Sequence, residues 1–394
     1  MTAGIVLREP DCWPARGCRK APAAPGVPND GWPLYRLEPP ENNLVCWMAP
    51  EPLYLDHAAT TPLLPQARDA WLDGMARWAN PSSPHASGRT ARAALEQARE
   101  RLKAALDWPG EVIFTSGASE ALAIAIERTT MPLAAVSSVE HDAVLRLAGD
   151  AARLTVSDKG LIEAEGSALA GLVAVQHVNN ETGVIQPLDA VAQAIGKAGG
   201  RLLADCAQSA GKLPMPDADM IAISAHKFGG PIGVGALLVR DWAMLRPSGG
   251  QERGYRAGTE NLPGVLAMVA ALEVGSGWLA QAAALRARLE AHVVGAGGEV
   301  IAPDALRLAT IGAYRMPNVS SAVQLIRFDA QGIAVSAGSA CSSGSLKASH
   351  VLTAMGVEGA NEVVRVSIGR ETTEDEIDRF CASWSTMARG RAAA

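Results

Sequence analysis

Short, strongly apolar runs recur along this chain, each ending in polar residues, with helix-patterned stretches between them. Glu111-Val112-Ile113-Phe114 leads into Thr115-Ser116-Gly117-Ala118-Ser119-Glu120. The run 133–139 leads into His141, and the run 171–178 into Asn179-Asn180. Arg201-Leu202-Leu203-Ala204 ends at Asp205-Cys206-Ala207-Gln208, and Asp219-Met220-Ile221-Ala222-Ile223 ends at Ser224-Ala225-His226-Lys227. Runs this short and apolar read as strands buried on both faces, and intervening helices, such as 188–198, serve as crossovers. The expectation is an α/β fold with a mostly parallel sheet covered on both faces. Ligands of such sheets sit beyond the carboxyl ends of the strands. Residues 116–119, His141, Asn180, Asp205, Gln208 and Lys227 all fall there.

Asp205 and Lys227, at the ends of two such runs, can flank one flat ligand. Pyridoxal phosphate needs such a pair, a lysine amine for the Schiff base and a carboxylate facing the pyridinium nitrogen. The pair reads equally as a surface lysine and an ordinary strand-end aspartate. Ser116 and Ser119 are expected to cap a helix over 120–127, with Gly117 allowing a close backbone approach. Unpaired amides at such a helix start suit a phosphate, although an ordinary capped helix looks the same. Gly229-Gly230-Pro231-Ile232-Gly233-Val234-Gly235 matches neither nucleotide-loop spacing and precedes a strand, so it reads as a tight turn placing Lys227.

A 394-residue chain that is 48% hydrophobic can bury a large core, in about two domains. A net charge of −6 argues against nucleic acid, and no apolar run reaches the roughly 18 residues of a membrane span. The 6 cysteines make no C-x-x-C pair or disulfide framework, which points to a reducing cytoplasm. The 7 histidines do not cluster near them, so no metal site is expected. Residues 1–50 are rich in proline, without periodicity or a secretory apolar core, and read as an irregular extension. Trp13, Trp32, Trp47 and Tyr35 are unusual for such an arm, and Met48 is an alternative start. Ordered structure is expected from Tyr54-Leu55-Asp56, with helices over 65–78, 89–106 and 373–387.

With these motifs in view, the chain resembles the class V, fold-type I pyridoxal-phosphate enzymes, and within them the cysteine desulfurases of the housekeeping iron–sulfur type. The resemblance runs from Tyr54 to about Met387. It is carried by Tyr54-Leu55-Asp56-His57-Ala58-Ala59-Thr60-Thr61-Pro62, the 115–120 segment, His177-Val178-Asn179-Asn180-Glu181-Thr182-Gly183, Asp205-Cys206-Ala207-Gln208-Ser209 and Ser224-Ala225-His226-Lys227. Arg253-Gly254-Tyr255-Arg256-Ala257-Gly258-Thr259, Ser339-Ala340-Cys341-Ser342-Ser343-Gly344-Ser345 and Val364-Arg365-Val366-Ser367-Ile368-Gly369-Arg370 complete it.

The resemblance implies a fold-type I transferase with a large domain over 62–275 and a smaller C-terminal α+β domain over 276–394 joined by 51–61. It implies that Lys227 forms the Schiff base and later acts as base, that Asp205 faces the ring nitrogen, and that His141 stacks over the ring. Asn180 and Gln208 would bond the phenolic side. Ala118, Ser119, Ser224 and His226 would hold the phosphate, with Thr259 reaching across from the partner of a homodimer. Arg365, and Asn180 beside it, would bind the substrate, Arg365 through its carboxylate.

Cys341 would be the nucleophile that takes sulfur from L-cysteine as a persulfide, leaving L-alanine, for an acceptor protein such as an iron–sulfur scaffold. Its small, polar neighbours describe an exposed loop, whereas Cys206 and Cys381 read as packing residues. His57, His85 and His177 fall in or near motifs, but read as hydrogen-bonding residues. Against the family pattern, the stretch between 323 and 332 is short and so is 127–136. The cysteine loop continues as Leu346-Lys347-Ala348-Ser349-His350, where an acidic residue and a proline are usual. Selenocysteine lyase, another β-lyase of this cofactor, and an idle binding protein of the same fold are the alternatives.

Overall fold

The structure is a computed structural model that describes residues 52–163, 169–338 and 349–391. The expected Cys341 loop lies outside the described residues. In chain order the strands are β1 Leu53–Tyr54, β2 Glu111–Thr115, β3 Leu133–Ser137, β4 Ala152–Leu154, β5 Leu172–Gln176 and β6 Arg201–Asp205. They continue as β7 Met220–Ser224, β8 Gly235–Val239, β9 Glu299–Val300, β10 Ile311–Arg315, β11 Ile333–Ala334 and β12 Val363–Ser367. The helices are α1 Pro65–Ala76, α2 Ala86–Ala105, α3 Ala118–Arg128, α4 Asp142–Leu145 and α5 Leu188–Lys197. After these come α6 Leu262–Glu273, α7 Leu279–Gly295, α8 Ser321–Asp329, α9 His350–Ala354 and α10 Glu374–Arg391.

Among the described residues, seven strands form one sheet in the order β2-β8-β7-β6-β5-β3-β4. All neighbours are parallel except β8, which runs against both β2 and β7. Every residue of β5, β7 and β8 is buried. Alternation along each strand then sends successive side chains to opposite faces. Val173, Val175, Ile221 and Ile223 pack with Leu95, Leu188 and Val265 of α2, α5 and α6. Leu172, Ala174, Met220 and Ala222 pack with Leu122 and Val144 of α3 and α4 on the other face. A continuous apolar run is therefore what a strand between two helical layers requires.

A second, antiparallel sheet has the order β12-β10-β9, and β1 pairs in parallel with β11. Their core holds Tyr314, Leu285, Leu289, Ile377 and Trp384, with Phe328 and Phe380 stacked at 5.0 Å. Residues 53–61 tie this core to the large sheet: Ala58 N–H donates to Ser367 Oγ at 2.9 Å and Thr61 N–H to His226 O at 2.8 Å.

Local chemistry accounts for the helix starts. Pro65 opens α1, where its missing N–H is not needed, and Asn261 caps α6 through Gly264 N–H at 3.1 Å. The start of α3 departs from expectation. The helix begins at Ala118 with Gly117 as its cap residue and no side-chain cap, so neither Ser116 nor Ser119 fills that role. Instead the Glu120 carboxylate turns back to accept Ser116 N–H at 2.5 Å.

Candidate active site

The strand ends of the large sheet open into a cleft of about 480 Å³. Ala118, Ser119, His141, Asn180, Asp205, Gln208, Ser224, His226, Lys227 and Arg365 all line it. Thr259 is exposed and does not line this cleft, and Cys341 lies outside the described residues.

Asp205 ends β6 and is buried, its Oδ1 accepting Ala207 N–H at 2.9 Å. Burial raises its carboxyl above the ordinary range, although that hydrogen bond and the charges of His141 and Lys227 oppose the rise. His141 caps α4, Nδ1 accepting Ala143 N–H at 3.1 Å, which leaves the proton of the neutral ring on Nε2. Burial lowers its pKa, with Asp205 opposing and Lys227 adding to the effect. Burial is the first cause of both shifts, and the charge of each group opposes the shift of the other.

Lys227 sits in the single turn that follows β7, and its Nζ donates to Ala58 O and Ala59 O, each at 2.7 Å. Beyond it, the start of α3 meets β7. A methyl group added at Gly117 would stand 3.5 Å from Ser224 Oγ, so hydroxyl and helix start share one end of the cleft. The first-turn amides there have no intrahelical partner and face that end with their positive dipole. His226 Nδ1 lies 3.2 Å from Thr60 Oγ1, and burial, with Lys227 and Lys212 adding, brings its pKa down to about 4.

Arg365 enters from β12. Its guanidinium is almost fully buried, Nη1 donating to Asn180 O at 2.9 Å and Nη2 to Asp56 Oδ1 at 2.6 Å, while Nε has no partner. Gln208 donates Nε2–H to Ala58 O at 2.8 Å, and its buried Oε1 has no partner. A buried amide oxygen without a donor is costly unless a ligand supplies one. The donor set suits a flat ligand with an anionic group at one end and a basic ring nitrogen at the other.

Three groups, Asp56 half-buried and Glu140 and Lys212 buried, had no role in the sequence reading. Asp56 lay within a quoted motif, and only its pairing with Arg365 marks it out. Glu140, beside His141, accepts Gln176 N–H at 2.8 Å, and full burial holds its carboxyl well above the usual range. Lys212 follows Gln208 in the turn after β6 and donates to Gln208 O at 3.1 Å; burial, with Lys227 adding, lowers its pKa to about 7. The weaker histidines lie elsewhere. His85 caps α2, His177 packs by Cys206 Sγ at 3.9 Å, and the His57 ring meets Tyr54 edge-on at 4.9 Å.

The aminotransferase class-V family model matches residues 53–380. A curated cysteine desulfurase of Cereibacter sphaeroides is 36% identical over 369 residues, covering 84% of this chain and 94% of its own. The solved NifS-like protein from Rickettsia africae superposes with a TM-score of 0.77 at 26% identity, covering 86% of this chain and 99% of that one. A structure of SspA in complex with cysteine gives 0.69 at 29% identity, covering 81% and 99%. The mostly parallel sheet with its lysine, aspartate and helix start around one cleft is that of a fold-type I transferase. The chain belongs to the aminotransferase class-V family, among its cysteine desulfurases.

Proposed function

We propose that this chain converts L-cysteine to L-alanine with pyridoxal phosphate as cofactor, carrying the sulfur away as a persulfide on Cys341. The observation that supports this reading most is the convergence of Lys227, Asp205, His141 and Arg365 on one cleft. Bound there, the cofactor supplies a protonated ring that stabilises negative charge at the substrate α-carbon. Ala118, Ser119, Ser224 and His226 hold its phosphate, and Thr259 of a homodimer reaches across to the other subunit's site. Asp205 keeps a proton at the ring nitrogen, which returns the buried carboxyl to its charged form. Asn180 and Gln208 hold the phenolic side, which gives the orphaned amide oxygen of Gln208 a ligand to meet. His141 covers the ring face.

Lys227 holds the cofactor and, once released, takes the proton from the substrate α-carbon. Arg365, with Asn180 beside it, grips the substrate carboxylate, a task for a planar fork of donors. The Cys341 thiolate attacks the substrate sulfur, so that an S–S bond forms as the Cβ–S bond breaks, its electron pair staying with Cβ, which takes up a proton to become the methyl group of alanine. Cys206 and Cys381 are poor alternatives: both are buried, which pushes the Cys206 thiol up strongly and the Cys381 thiol to about 11. The larger part of the fold, 62–275, holds the cofactor, and 276–394 with 51–61 brings in Arg365 and the sulfur-carrying cysteine. The setting is the reducing cytoplasm, and the sulfur passes to an acceptor protein of iron–sulfur assembly. No described helix is long and apolar enough to cross a membrane.

Brief exposure to cysteine should leave one extra sulfur on the Cys341 peptide, removable by a thiol reductant and read by mass. Cys341→Ser should keep the cofactor and make no alanine, while Cys206→Ser and Cys381→Ser remain active. Alanine formation by Cys341→Ser at the wild-type rate would remove the persulfide route.

A further inference from the structure

We infer that Asp56 is the positioning residue for carboxylate recognition, setting the plane of the Arg365 guanidinium before substrate arrives. The inference rests on the proposed desulfurase reading. Arg365 lies mid-strand in β12, and its side chain, only 5% exposed, crosses from the small sheet to the edge of the large one. A long arginine left to choose among rotamers loses side-chain entropy when a ligand orders it. Two contacts have already ordered this one. Nη1 reaches a neutral acceptor, the backbone carbonyl of Asn180, and Nη2 reaches the carboxylate of Asp56 at 2.6 Å.

Asp56 is itself held by the strand that bears Arg365. It forms a parallel bridge with Ser367, two residues beyond the arginine. On either side of it, Leu55 N–H donates to Ala334 O at 2.9 Å and Ala59 N–H returns to Asp56 O at 2.9 Å. The carboxylate and the guanidinium are thus fixed to one backbone frame. A guanidinium has five N–H donors, and these contacts occupy one on each Nη. Nε, buried and without a partner, and one hydrogen on each Nη are left for an incoming carboxylate, in a plane that Asp56 has set. Without Asp56, a buried cation loses its counter-charge and its orientation together.

Steady-state kinetics of the cofactor-loaded enzyme test this. Asp56→Ala should raise KM for L-cysteine by about ten- to hundredfold, as expected for losing a charged hydrogen bond, with kcat within about twofold. Asp56→Asn, which keeps the shape and an accepting oxygen but not the charge, should fall between the two. Cofactor absorbance should stay at the wild-type value in both, while the melting temperature falls, more in Asp56→Ala than in Asp56→Asn, because the buried guanidinium loses its counter-charge. An unchanged KM in Asp56→Asn and Asp56→Ala, or a loss confined to kcat or to cofactor content, overturns the inference while wild-type turnover stands. A wild type that makes no alanine from cysteine overturns the desulfurase reading itself, and this inference with it.

Discussion

At the scale of single residues, the cleft is a set of ionisable groups held away from their ordinary charge states. Burial raises the Asp205 carboxyl and lowers the His141 and His226 imidazoles. Perturbed groups gathered in one cavity mark it as a candidate functional site. Lys227, with its amine on the Ala58 and Ala59 carbonyls, is the nucleophile we propose for the cofactor. With Lys227→Ala, borohydride treatment should no longer fix the cofactor to the chain. Alanine production should fall by about a hundredfold or more, the usual scale for losing a general base. Peptide mass and product assay check both, and turnover at the wild-type rate would exclude Lys227 as the base.

At the scale of elements, the junction of α3, β7 and β8 shapes the end of the cleft proposed for the phosphate. Gly235 opens β8 against it: an added methyl group would stand 2.4 Å from Ile223 O and 2.7 Å from Gly117 Cα. Both contacts are backbone, so they cannot yield by turning a side chain. Gly235→Ala should cost about 1–3 kcal/mol in denaturant unfolding and speed cofactor loss on dialysis. Gly196, exposed inside α5, has nothing within 4 Å of the same position and ordinary helical geometry. Gly196→Ala should instead stabilise by roughly 0.5–1 kcal/mol. Equal effects from the two substitutions would show that the junction is not tightly packed.

For the whole molecule, buried bases set the response to pH. His57, His177 and His226 each titrate at about 4, in every case chiefly because burial disfavours the cation. Between that value and the ordinary 6.5 the unfolded chain binds more protons, so stability rises with pH there and is lost as pH falls from 6.5 toward 4. Lys212, at about 7 against an ordinary 10.5, has the same sign over a higher window. Lys212→Met should therefore melt above the wild type at pH 7, and the gap should close as pH approaches 10. Parallel melting curves across that range would mean that Lys212 is not held neutral by burial.

The sequence by itself determined the layered α/β architecture and most of the lining of the cleft. Both are written in local pattern: apolar runs of strand length, helical spacing between them, and polar residues where each run stops. A parallel sheet collects such strand ends at one edge, so Asp205, His141, Gln208 and Lys227 could be grouped before any coordinates. Arg365 was legible only through a motif resemblance, because β12 belongs to a different sheet and no periodicity records which edge it faces. Tertiary structure decided the rest. Ser116 gives its amide to Glu120 instead of capping α3, Gln208 Oε1 is stranded by burial, and Asp56 meets Arg365 across the chain. Ser116 and Glu120 are near neighbours in one turn, but the Asp56–Arg365 pair and the burial of Gln208 depend on which surfaces the packed sheets bring within about 3 Å. Hydrogen-bond partners far apart in the chain leave no mark on local composition.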